Sequence, residues 1–410
     1  MAVDVVARML ANEALNAKNP DGTPVVDKTL SKSGQAADAK AVGDTLAAIL
    51  SAQGGSIKPT GWADVQALVR SGLASKVFAI GDQLVCKKGD TTLVWDVIGI
   101  DHDEPTDPQF THSMTLQLHD CLSVTMQYDV QEALYFAETE LAAGTYCFTI
   151  QDYDETYGGN KTYNFTLTKP VPAGGQITFG WDYHTQVADA KISTYENRTS
   201  TTAIETVGVT EGSAGISLGT TDGSSPNVNH IHRVRYGSNN PLENAMRQFL
   251  NSDKAAGAVW TPQTNYDRPP SWAASTAGFM NGMDSDFLAV IGKTHKVTCL
   301  NTVTDGGGSV TTDDTFFFLS RREVFCGNEV SGVIEGEPYP YYSDYSDYDS
   351  ANTGADKNRI KYRNGTAQYW WLRTPNTGSG YSVRGVNATG GLSYGGGNNS
   401  YGVAPACNII

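Results

Sequence analysis

No apolar run in the 410 residues approaches the roughly 18–20 positions that a membrane-spanning helix needs. The first residues, Met1 to Ala14, lack a basic stretch followed by an apolar core. Neither membrane insertion nor a secretory leader is therefore expected. On this reading the chain is made in a cytoplasm and reaches an exterior only by lysis or on a particle. Positive charge is scarce: 29 Lys and Arg stand against 44 Asp and Glu, a net charge of −15. That balance argues against nucleic acid and anionic membrane surfaces as partners. None of the six cysteines (Cys86, Cys121, Cys147, Cys299, Cys326, Cys407) forms a C-x-x-C pair, which removes the common zinc and redox motifs. Their apolar and β-type neighbours predict buried free thiols. A P-loop and a dinucleotide fingerprint are also missing, and no enzyme is expected.

What the chain does have is a C-terminal stretch of contrasting textures. Tyr369-Trp370-Trp371-Leu372-Arg373 make an aromatic anchor, and Val403 to Ile410 make an apolar close. Of the 27 residues from Asn376 to Gly402, 20 are Gly, Ser, Asn or Tyr. Such a mixture suits a contact surface: Tyr supplies area at low rotamer cost, and Ser, Gly and Asn supply adaptable hydrogen bonds. A disordered linker would not normally carry three tyrosines and then end in an apolar tail. From Asn376 to Ile410 there is no Lys, Glu, Gln, Met or Trp. An AAC or AAT codon varied only at its adenines can encode every amino acid except those five.

These residues carry a resemblance. Trp370 to Pro375, the Gly/Asn/Ser/Tyr-rich stretch and the Gly402-Val403-Ala404-Pro405-Ala406 close are similar to the end of C-type-lectin-fold variable proteins of diversity-generating retroelements. Ala404 departs from that pattern, which has Arg there. Further matches are Arg235 to Asn239, Arg247 to Ser252, Phe316 to Ser320 with Glu323-Val324, and Arg359 to Tyr362. The resemblance implies an α+β, C-type-lectin-like fold of the kind shared with formylglycine-generating enzymes. It further implies a phage receptor-binding or tail-tip protein, located in the virion, whose C-terminal region of about 369–410 is variable. Its partner would be a bacterial cell-surface protein or glycan. Trp370, Trp371 and Arg373 would begin a scaffold strand, with the apolar close completing the pairing. The candidate contacts are then Asn376, Thr377, Ser379, Tyr381, Ser382, Arg384, Asn387, Ser393, Tyr394, Asn398, Asn399, Ser400 and Tyr401.

Upstream, residues 1–55 are Ala-rich and hold no Trp, Tyr, Phe or Cys. Helices are predicted from Val3 to about Ala17 and from Gly34 to Ala52. Ala39, Val42, Leu46 and Ile49 give the second a short apolar seam. Thr29 to Asp44 resembles the N-terminal segments of phage tail and baseplate-associated proteins. It is read as an attachment element to other tail or baseplate proteins and as the seat of a homo-oligomer, a trimer in preference. After a linker from Ser51 to Gly61, residues 62–129 open the lectin-type domain, with a helix from Trp62 to Leu73 and strands over Phe78–Cys86 and Leu93–Ile100. Residues 130–212 read as an inserted β-sandwich, because short β-rich runs recur between turn signals. Residues 213–410 resume the first domain, with a helix over Pro241–Leu250.

Other constellations are weaker. His230 and His232 could hold zinc but lack a third ligand. Asp101 to Glu104 and Asp284 to Asp286 could take calcium, yet no loop alternates Asp and closes on Glu, so solvated loop charges and no cofactor are expected. Tyr339 to Asp349 carries five tyrosines, which either wall the contact surface or cover the core. Competing functions are a fixed carbohydrate-binding module using Trp181 and Tyr183, a purely structural virion component, and a thiol enzyme using Cys326 and Cys407.

Overall fold

The computed structural model describes residues 26–27, 36–37, 59–130, 133–150, 161–179, 191–197, 200, 202–220, 238–263, 269–302, 305–342 and 356–410. The described chain is a mixed α+β protein dominated by strand. Most of residues 1–58 lie outside it, including nearly all of both expected N-terminal helices. Ala36–Ala37, expected to be helical, instead pairs in parallel with Val26–Asp27.

Two sheets frame the C-terminal region. The first runs in the order Ile291–Gly292, Ala406–Ile409, Met114–Leu118, Thr91–Ile100, Gln83–Lys88, and Phe316–Phe317 also pairs with Ala406–Ile409. The second runs Leu392–Gly396, Ser382–Val386, Trp370–Pro375, Ser400–Gly402, Thr125–Gln127. The apolar close thus belongs to the first sheet. It does not complete the pairing of the tryptophan strand, whose neighbour on that side is Ser400–Gly402, in parallel.

Every residue of Trp370–Pro375 and of Ala406–Ile409 is buried. Side chains alternate along a strand, so a run without polar gaps must serve two cores. Trp371, Phe316, Phe318 and Cys407 enter one core, with Trp95, Phe279 and Phe287. Trp370, Phe317, Leu319 and Ala406 enter the other, with Tyr339 and Tyr342. Each tryptophan of the pair also satisfies its indole: Trp370 Nε1 donates to the Arg359 carbonyl and Trp371 Nε1 to the Met126 carbonyl, both at 2.9 Å.

Ala133–Phe136, Gln176–Phe179, Lys191–Tyr195 and Ala203–Gly208 form one four-stranded sheet. Gly144–Ile150, Lys161–Leu167, Thr210–Glu211 and Ile216–Thr220 form another. Phe148, Phe165, Ile177 and Ile192 join the two in a core of their own. These strands extend to Thr220, past the expected boundary at 212. The helix after Trp62 ends at Arg70, followed by a single turn from Ala74 to Val77. That expected over Pro241–Leu250 begins only at Ala245, because the Asn244 side chain caps it by accepting from Arg247 N at 2.8 Å. Leu242, inside the expected helix, precedes the cap and is exposed.

Candidate recognition surface

A buried charge network holds the frame. Lys296 Nζ donates to Asp103 at 2.8 Å and to Glu323 at 3.1 Å. Arg373 pairs with Glu323 and donates to the carbonyls of Glu335 at 2.7 Å and Phe318 at 3.0 Å. Asp103 also accepts from Tyr339 Oη at 2.6 Å and from Asn408 Nδ2 at 2.8 Å. Glu323 and Ser320 bond each other's backbone N–H reciprocally, at 2.8 and 3.0 Å, the physical reason for a Ser-x-x-Glu spacing at this turn. Asp103, expected to be a solvated loop charge, is 7 % exposed. Asp284 caps the Ser285–Leu288 turn, while Asp101 meets His112 at 3.0 Å.

Burial would raise the Asp103 and Glu323 carboxyls, but Lys296 beside the first and Arg373 then Lys296 beside the second outweigh it, so both are lowered. Burial of Glu329 is likewise outweighed, by hydrogen bonds from Arg384 and Arg321. Groups of this kind stabilise the fold fully above their ordinary values of 3.8 and 4.5 and lose that contribution as pH falls below them. Glu335 acts oppositely: burial raises it, so it favours folding only at low pH and offsets part of the effect. Urea unfolding between about pH 7 and about pH 3 should therefore show a plateau and then a decline below about pH 4.5, shallower in Glu323→Gln. A stability that rises on acidification would contradict this balance.

The segment from Asn376 to Gly402 is anchored along its length. Asn239 Nδ2 donates to the carbonyls of Ser379 and Ser382 at 2.6 and 2.8 Å, and Asn301 holds the Asn239 amide oxygen at 2.7 Å. The Ser379 hydroxyl accepts from the N–H groups of Tyr381 and Ser382. Asn376 N–H donates to the Ser382 carbonyl at 2.8 Å. Asn387 closes the turn to Gly391 by accepting from the Thr389 and Gly391 N–H groups, both at 2.9 Å. Gly390 in that turn has φ +81° and no room for a Cβ, which would fall 1.8 Å from the Asp356 carbonyl.

The thirteen candidate contacts therefore divide. Tyr394, Asn399 and Ser400 are exposed, and Ser393 and Asn398 beside them are half-buried. Asn376, Thr377, Ser379, Tyr381 and Asn387 are half-buried, the first four in the loop entering the hairpin and the last in its turn. Ser382 is buried, contrary to expectation, at the start of a strand whose residues are buried except Arg384. Arg384 donates through Nε and Nη2 to Glu329 at 2.8 and 2.7 Å, so it is not a free contact. Tyr401 lies across the core, its ring 4.3 Å from that of Trp371 and 5.3 Å from that of Tyr369. In register, Arg384 opposes Tyr394 and Gly385 opposes Ser393, which puts these two pairs on opposite faces of the hairpin.

Glu329 and Asn239 organise this surface, yet neither was singled out as a site residue. Glu329 carries no local signal, because its partners Arg321, Arg384 and Thr377 meet it only in the fold. The neighbours of Asn239 in sequence give no sign that its amide reaches Ser379 and Ser382. Tyr339 and Tyr342 are fully buried and cover the core, while the run from 343 to 349 lies outside the described residues. So do His230, His232, Trp181 and Tyr183. All six cysteines are buried and free, as expected. Burial pushes the Cys326 thiol up to about 11 against the nearby Arg359, and Cys407 well above its ordinary value. Ser393 falls in a G-x-S-x-G spelling, but it lies mid-strand opposite Gly385, not at a strand-to-helix turn.

Among the described residues, no helix is long and apolar enough to cross a membrane. Residues 224–410, which include this whole surface, are similar to a family described as a domain of unknown function, DUF6273. No curated protein and no solved structure matched the chain.

Proposed function

We propose that this chain is a receptor-binding protein of a phage tail, presenting a diversified surface on a C-type-lectin-type fold to a bacterial surface receptor. One observation carries the reading: a polar segment with exposed Tyr394, Asn399 and Ser400 is fixed between two fully buried strands, Trp370–Pro375 and Ala406–Ile409. Side chains at the exposed tip contribute little packing, so they can change while the frame persists. The lack of the five adenine-inaccessible residue types after Asn376 supports diversification by a retroelement. Residues 1–55 serve as the attachment and trimerising segment. Buried thiols held in the protonated form weigh against a cysteine nucleophile.

Adhesion of the full chain to a panel of Gram-positive and Gram-negative bacteria tests the reading. Joint replacement of Tyr394, Asn399 and Ser400 by alanine should abolish adhesion while shifting stability by only about 0.5 kcal/mol per site. A wild-type chain that adheres to no bacterium would overturn it. For the diversification mechanism, the coding DNA should contain a near-identical template repeat that differs from this tail only at adenines.

A further inference from the structure

Arg384 is the only charged side chain between Asn376 and Ile410. Its guanidinium meets Glu329 in a two-bond fork, and the two side chains are 17 % and 3 % exposed. The Tyr394 ring covers the same guanidinium, 5.6 Å away. Arg321, the second cation on Glu329, is bound at 2.7 Å and spends its Nε on the Cys326 carbonyl at 2.8 Å. What the segment exposes is therefore ring, amide and hydroxyl: Tyr394, Asn399, Ser400 and Thr389. These uncharged side chains sit on a chain of net charge −15.

We infer that the surface takes an uncharged, hydroxyl-rich carbohydrate, and that Glu329 keeps it selective by holding the Arg384 guanidinium in its fork, away from a ligand. The inference rests on the recognition reading above and adds the class of ligand. A polyanion meets the repulsion of the whole chain, and Arg384, the segment's own cation, is already engaged with Glu329. A protein partner's rim charges would find no countercharge among the segment's own exposed side chains, so they would add little steering or register. A neutral sugar needs neither: its hydroxyls pair with Asn and Ser, and its C–H face lies on a tyrosine ring. Glu329 is a positioning residue here, acting through Arg384.

Adhesion to the same bacteria, after periodate or protease treatment of the cells, tests this at about 0.02 M and about 0.5 M NaCl, which differ several-fold in screening length. Periodate should abolish adhesion, protease should leave it, and salt should change it less than about twofold. Tyr394→Ala should weaken adhesion about tenfold at an unchanged unfolding midpoint, an interface effect without a folding one. Glu329→Gln, which frees both arginines, should bring salt-sensitive retention on dextran sulfate beads that the parent chain passes through, and unchanged passage by a folded variant would remove Glu329 from the account. Adhesion that is protease-sensitive, or that falls about tenfold or more with salt, overturns the neutral-carbohydrate ligand and leaves the recognition reading standing. No adhesion to any untreated cell overturns the recognition reading itself.

Discussion

Replacing Arg373 by methionine should cost about 3–5 kcal/mol of folding stability, the range for breaking a buried ion pair from one side. The guanidinium pairs with Glu323 and reaches the carbonyls of Glu335, Phe318 and Val297. Glu335 and Phe318 are buried, and the Glu323 side chain is 1 % exposed. Removal leaves that carboxylate with Lys296 and the Ser320 N–H, and takes a donor from each of the three carbonyls. A lysine in place of Arg373 should recover little, because a point charge cannot match a planar fork. In denaturant, the midpoint should fall while the slope is unchanged. A loss below about 1 kcal/mol would mean that the network is an ornament to packing rather than the brace of the frame.

Trp371→Ala is the second large effect, again about 3–5 kcal/mol for an aromatic side chain removed from a well-packed interior. Trp371 is fully buried, with ring contacts to Tyr128 at 5.5 Å and Tyr401 at 4.3 Å. The cavity opens directly beneath Tyr401, so the candidate surface should move as well as soften. Trp370→Ala should be as costly but through the other core, against Leu319, Val386 and Tyr339. Thermal unfolding of the two variants would check this, and two near-neutral results would contradict the two-core arrangement.

The sandwich strands were legible because alternating β-rich runs there are separated by turns, a pattern that local chemistry dictates. Gln83–Lys88 and Thr91–Ile100 were visible for the same reason, with Gly89 at φ +54° in their turn. The destination of a strand was not legible. An apolar run such as Val403 to Ile410 announces burial on both faces but not its neighbours, which are Met114–Leu118, Ile291–Gly292 and Phe316–Phe317. The charge network escaped for a related reason. Asp103, Lys296, Glu323 and Arg373 are far apart in sequence, and each looks like an ordinary surface charge until the fold brings them together. Composition marked the candidate segment, since Gly, Ser, Asn and Tyr are readable as a class. It could not tell that Ser382 faces inward or that Arg384 is occupied by Glu329. Those facts depend on strand register and on a loop more than fifty residues upstream.

We propose that a rigid frame carries a replaceable surface. This is tested most directly by a library varied at Ser393, Tyr394, Asn398, Asn399 and Ser400, with unfolding midpoint and bacterial adhesion measured for each member. Most members should unfold with the parent's midpoint while adhesion is lost or redirected to other bacteria. Midpoints that fall in step with adhesion would show that these side chains hold the fold together, and the account would be wrong.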